Sequence, residues 1–142
     1  MAQDLEAIGN ELREAYAVSV TKGHEVFGSY MATDMRSFHV PAGAHDGEQD
    51  ITPEMAAQEA GALEKLGGRL SVESVRVIGD DTLVMERVLT GTFPDGAAFR
   101  FQMASVFTFR DGKCVRSIGF VPKETSEGLS AAFRRVAPEL SQ

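Results

Sequence analysis

The chain has no tryptophan, one cysteine and only two tyrosines in 142 residues. A lone Cys114 excludes an internal disulfide framework and a cysteine zinc cluster. Basic residues are also few, 14 Lys+Arg against 21 Asp+Glu. The resulting net charge of −7 argues against nucleic acid or an anionic membrane surface as the main partner. Apolar runs are short, none near the ~18 residues that a membrane-spanning helix needs. The opening MAQDLEAIGN has neither a basic head nor an apolar core, so no signal peptide is expected and the expected compartment is the cytoplasm. What the chain does contain is 43% hydrophobic and 25% charged residues, the profile of one globular domain over 1–142.

Charge and periodicity divide the chain in the same place. Residues 1–66 hold 4 basic and 12 acidic groups, and residues 67–142 hold 10 and 9. The first part is helical in pattern. Leu5, Ile8, Leu12 and Tyr16 recur at spacings of three and four, behind Asp4 as N-cap and ahead of Gly23 as stop. A second short helix is expected from about 24 to 33, with Val26, Phe27 and Tyr30 inward. A short strand at 35–41 and a polar loop at 41–50 follow. Thr52-Pro53 then opens a third helix, with Met55, Ala56, Ala60, Leu63 and Leu66 as its apolar face and Gly67-Gly68 as its end.

From Leu70 the period drops from 3.6 to 2. Strands are expected at 70–78 (with a bulge near Ser74), 82–93, 97–110 and 113–121, joined by the turns Gly79-Asp80-Asp81, Pro94-Asp95-Gly96 and Asp111-Gly112. In the third of these, Phe99, Phe101, Met103, Ser105, Phe107 and Phe109 alternate with more polar residues. A helix carrying Leu129, Phe133 and Val136 is expected to start at Ser126. Two strands of roughly 12–14 residues would each extend about 40 Å, and strands that long twist and bend. The expected fold is therefore α+β: a strongly curved antiparallel sheet wrapped around three N-terminal helices, a cone-shaped barrel with a C-terminal helix. Its hollow is where a hydrophobic small molecule would bind.

This order of elements, with its F-x-F-R-D-G-K hairpin, resembles the nuclear transport factor 2-like, or SnoaL-like, superfamily over roughly residues 4–122. The local pattern is most similar to ketosteroid isomerase. That resemblance puts Tyr16 at the position of the family's oxyanion tyrosine, His39 at that of its catalytic aspartate, and Ser105 at that of its protonated aspartic acid. It implies proton-transfer chemistry (isomerisation, dehydration or cyclisation), with His39 as base and Tyr16 and Ser105 polarising a carbonyl. Tyr30, Arg87, Phe101, Met103, Phe107, Ser117 and Gly119 would bind the substrate. MERVL (85–89) resembles the limonene epoxide hydrolase strand at Arg87 only. Leu89 and Gly119 stand where that family has aspartates, so its water activation is not expected.

A non-catalytic binding or dimerisation module is the rival reading. No cofactor is expected, since no glycine-rich dinucleotide fingerprint follows a strand. His45, Asp46, Glu48 and Asp50 lie in a polar loop without ligand spacing, so no metal is expected either. Cys114 reads as a packed thiol. If Arg87 lies on the concave face, it needs an acidic partner or a ligand, and Asp34 and Glu86 are candidates for it. A two-residue turn at 111–112 would pair Ser105 with Ile118. A three-residue turn, which the resemblance favours, would pair it with Ser117. The latter turns Val106, Ile118 and Phe120 toward the convex face, where a homodimer interface is expected.

Overall fold

The computed structural model describes residues 4–40, 49–50 and 53–136. Asp4 accepts a hydrogen bond from Ala7 N and starts α1 (Leu5–Val18), whose Leu5, Leu12 and Tyr16 are buried. The helix does not run on to Gly23. Ser19 is extended, and its hydroxyl accepts from Lys22 N at 2.9 Å, so it caps a second helix, α2 (Val20–Tyr30). A serine that satisfies the next helix's orphan N–H is the physical reason for the break. Gly23 thus falls inside α2, and residues 31–33 belong to β1 (Met31–Val40). After the two-residue β2 (Gln49–Asp50) comes α3 (Pro53–Lys65). It closes as expected: Gly67, at φ +63, donates to Glu64 O and Gly68 donates to Leu63 O, a Schellman cap. Met55 departs from the expected apolar face and is exposed, while Ala62 joins it.

The remaining strands are β3 (Arg69–Ile78), β4 (Thr82–Thr92), β5 (Ala98–Arg110) and β6 (Lys113–Phe120), followed by α4 (Lys123–Val136), which begins before Ser126. The expected bulge in β3 lies between Val72 and Ser74. Asp111 and Gly112 both have positive φ, the conformation of a type I′ hairpin turn. The register beyond that turn is neither of the two expected. A bulge between Thr108 and Phe109 on one strand and Arg116 and Cys114 on the other leaves Val115 unpaired and sets Ser105 opposite Gly119.

The expected architecture needs correction. The sheet is neither a strongly curved antiparallel sheet nor closed into a cone-shaped barrel. Its six strands run in the order β2-β1-β6-β5-β4-β3, an open sequence with β2 and β3 at the edges, and β1 lies parallel to β6. Long strands alone did not decide closure. Closure needs the two edge strands to pair, whereas here β1 adds to β6 and is flanked outward only by β2. The α+β class stands, and α1 lies on the β3 side of the sheet, with Gly9 against Val75 and Leu83. The core gathers Leu5, Leu12, Met35, Leu83, Met85, Leu89 and Phe109 between sheet and helices. No described helix is long and apolar enough to cross a membrane.

Candidate functional site

The helix-facing side of β5 places Ser105 deep in the protein, with 2% of its surface exposed. Met85 and Gly119 flank it across the sheet, and His39 pairs in turn with Gly119, so the four Cα atoms form one row. The next row holds Leu83, Phe107, Ser117 and the buried Ser37. Met103 pairs with Arg87. Strand alternation therefore puts Arg87, Met103, Ser105, Phe107, Ser117 and Gly119 on one face.

Arg87 reaches along that face, and its Nη2 donates to Ser105 Oγ at 2.5 Å. Its Nε is buried and has no hydrogen-bond partner among the described residues. The residue as a whole is half-buried, and it also lines a groove on the sheet. Burial lowers its pKa, opposed by the nearby Tyr16 and Glu59. A guanidinium nonetheless stays charged at any ordinary pH.

Tyr16 comes from the buried stripe of α1. Burial pushes its pKa up to about 12, with the Arg87 charge working in the opposite direction and Glu59 adding to the rise. Its hydroxyl is accordingly a neutral hydrogen-bond donor, not a nucleophile. His24 on α2 meets the Tyr16 ring edge-on, with centroids 5.5 Å apart. Its Nδ1 lies 3.1 Å from Val20 O. A carbonyl only accepts, so the proton sits on Nδ1 and Nε2 carries the lone pair. Burial lowers the His24 pKa, and Glu59 and the Val20 contact resist that fall less strongly.

The sign of this shift sets a pH dependence. Below the ordinary value of 6.5 the unfolded chain protonates this histidine more readily than the folded one. His24 therefore costs no stability above pH 6.5 and lowers it progressively as pH falls below that value. Urea titrations at pH 7.5 and 5.5 should show an acid loss that His24→Gln reduces. An unchanged acid loss in that variant would contradict the assignment.

Arg87 is thus bonded to Ser105, and Tyr16 lies within electrostatic reach of Arg87. Phe107 shares their face, but the Phe27 ring packs on it at a centroid distance of 5.0 Å. Phe101 stacks on Phe99 at 5.2 Å and also meets Phe93. Tyr30 is not part of the group: its hydroxyl donates to Glu11 and its ring lies against Phe109. The side chain of His39, and all of His45, Asp46 and Glu48, lie outside the described residues. Neither acid proposed from the sequence serves Arg87; Glu59 on α3 is the described carboxylate that acts on it, across space. Sequence reasoning missed His24 because it read Gly23 as a helix stop. The missed signal was a glycine that admits an aromatic ring. Cys114 is buried, and burial pushes its thiol up to about 12, so it is a poor nucleophile.

Two hollows flank this arrangement. A groove of ≈660 Å³ opens where β6 leaves β5, and its lining includes Arg87 and Met103 together with Glu73, Glu86, Arg100 and Phe120. A crevice of ≈380 Å³ opens between α2 and α3, lined by Thr21, His24, Glu25, Gly28, Ser29 and Ala57. His24 is therefore a wall shared by that crevice and Tyr16.

A profile of the SnoaL-like domain family matches residues 12–117. Among solved structures, an NTF2-like protein of unknown function from Burkholderia pseudomallei aligns with a TM-score of 0.65 at 14% identity, over 95% of this chain and 98% of that one. A protein of ketosteroid isomerase-like fold from Catenulispora acidiphila, solved with trimethylamine, gives 0.60 at 16% identity over 85% and 92%. TerC, co-crystallised with polyporic acid, gives 0.60 at 21% identity over 91% and 97%. These likenesses establish the fold alone. No protein of curated function matches the chain.

Proposed function

Because the chain belongs to the SnoaL-like domain family, we propose that it is a small-molecule enzyme whose helix-facing site carries out proton transfer on a hydrophobic cyclic or polyketide-like substrate. The reaction would be an isomerisation, dehydration or cyclisation. The observation that carries this reading is the Arg87 guanidinium, its Nε buried, bonded to Ser105 within electrostatic reach of the neutral Tyr16 hydroxyl. Removing a proton α to a carbonyl builds negative charge on the oxygen, and preset donors in a water-poor site stabilise that charge. Tyr16, Ser105 and Arg87 supply such donors. His39 is the proposed base, since an ordinary imidazole pKa near 6.5 suits proton transfer. Met103, Phe101 and Phe107 would hold the apolar body, with Ser117 and Gly119 along the same face. Structures of similar fold with trimethylamine and with polyporic acid support small-molecule binding in such a frame.

The test is hydrogen–deuterium exchange at α-carbons of cyclic ketones and β-keto esters in D2O. Exchange above the buffer rate is expected, falling roughly 10²–10⁴-fold in His39→Ala, the span typical of a lost general base. Absence of exchange across the panel would overturn catalysis. The alternative is a ligand-binding module without turnover. The packing of Phe27 on Phe107 favours it, because those rings occupy space that a large substrate would need.

We also propose a homodimer through the outer sheet face in a reducing, cytoplasmic setting. Phe120, 42% exposed, shares that face with Val84, Val106 and Ile118. Sedimentation velocity should give twice the chain mass, and Phe120→Arg should return it to one. A monomer at high concentration would end this part of the reading.

A further inference from the structure

Among the described residues, no acid is bonded to the half-buried guanidinium of Arg87. Nη2 donates to a neutral hydroxyl, the buried Nε meets no acceptor among the described residues, and no described carboxylate forms an ion pair with the group. Tyr16, held neutral by burial, leaves the charge uncompensated. Glu59 is the acid that acts on both, yet it stands exposed on α3 at a distance. Removing a cation from water without a partner is costly, and proteins tolerate it where a ligand completes the pair.

We propose that Arg87 receives an anionic oxygen of the ligand itself, so that the substrate class is cyclic or aromatic acids rather than neutral ketones. The acid is a carboxylic acid or an enol acidic enough to ionise near neutral pH. This rests on the reading that the helix-facing site binds a small molecule, but not on any turnover there. A neutral carbonyl would accept the Nε hydrogen bond and leave the charge unmatched. A carboxylate or enolate does both, through a charge-assisted bond roughly twice as strong. The pairing also assigns Glu59 a role. As the acid already acting on Arg87, it competes with the incoming anion and limits its affinity.

Calorimetry with benzoate and benzamide, two probes of nearly the same shape, separates charge from fit. The full-length protein at pH 7 and low salt should bind benzoate roughly 10–100-fold more tightly than benzamide, the value of a hydrogen bond to a charged partner. Glu59→Gln should tighten benzoate several-fold and leave benzamide unchanged. Arg87→Met should erase the preference. Equal affinity for the two probes, or a preference that survives Arg87→Met, would overturn the proposal. Benzoate preference without any α-carbon exchange would remove the catalytic reading and leave this one in place. Exchange without benzoate preference would do the reverse.

Discussion

Replacing Arg87 with methionine should make the empty protein more stable while abolishing its function. The substitution keeps a long flexible side chain between Met85 and Leu89 and removes a half-buried charge whose Nε is buried and meets no acceptor among the described residues. Exchanging buried ionic groups for apolar ones of similar volume is commonly neutral or stabilising by about 1–4 kcal/mol. Against that gain stand one hydrogen bond, to Ser105, and a distant attraction to Glu59. Ser105 loses a donor but its hydroxyl can rotate to a new partner, at a cost of about 1 kcal/mol. With a urea slope of about 1–3 kcal/mol per molar, the midpoint should rise by roughly half a molar or more. Proton exchange and anion preference should vanish in the same variant. A stability gain coupled to loss of function marks a residue kept for its chemistry. A lowered midpoint would instead make Arg87 a structural strut.

Gly23→Ala should act in the opposite sense to what helix propensity suggests. Alanine is better than glycine inside a helix by about 1 kcal/mol. At this position, however, a Cβ would lie 2.0 Å from Tyr16 Cδ1 and 2.3 Å from its Cγ. Cγ is near the root of the side chain, so the ring cannot swing clear without moving α1 from α2. Overpacking of this kind costs about 1–3 kcal/mol, and the net change should be destabilising. The Tyr16 hydroxyl would move with its ring, and a displacement of about 1 Å in a positioning group can cost 10²-fold in rate. Gly61→Ala is the control, since nothing lies within 4 Å of a Cβ there and it sits inside α3. That variant should gain stability. Urea midpoints for both variants, with proton exchange for the first, decide the matter. A Gly23→Ala protein as stable and active as the parent would show that the two helices separate easily.

The contrast between these glycines shows what the amino-acid order could and could not reveal. Local signals read correctly. The apolar spacing of α1, its Asp4 cap, the Gly67-Gly68 stop, the β3 bulge and the alternating face of β5 all express contacts close in sequence. The shared face of Arg87, Met103 and Ser105 also followed from alternation, because β4 and β5 are joined by a short turn. Contacts that depend on distant packing did not read. The parallel pairing of β1 with β6 joins segments some eighty positions apart, and without it the sheet was expected to be antiparallel and closed. Val115 slips the last hairpin by one residue, which no turn rule marks. His24 and Glu59 reach the site only because α2 and α3 pack together. Tyr30 packs against the core as its helical phase predicts, while its hydroxyl donates to Glu11.

The most direct test of the half-buried, unneutralised guanidinium is a crystal structure of the protein grown with benzoate. A carboxylate oxygen should lie 2.7–2.9 Å from Arg87 Nε, the range of charge-assisted bonds, with the aromatic ring toward Met103 and Phe107. Benzoate seated away from Arg87, with Nε met by water or by nothing, would contradict the account.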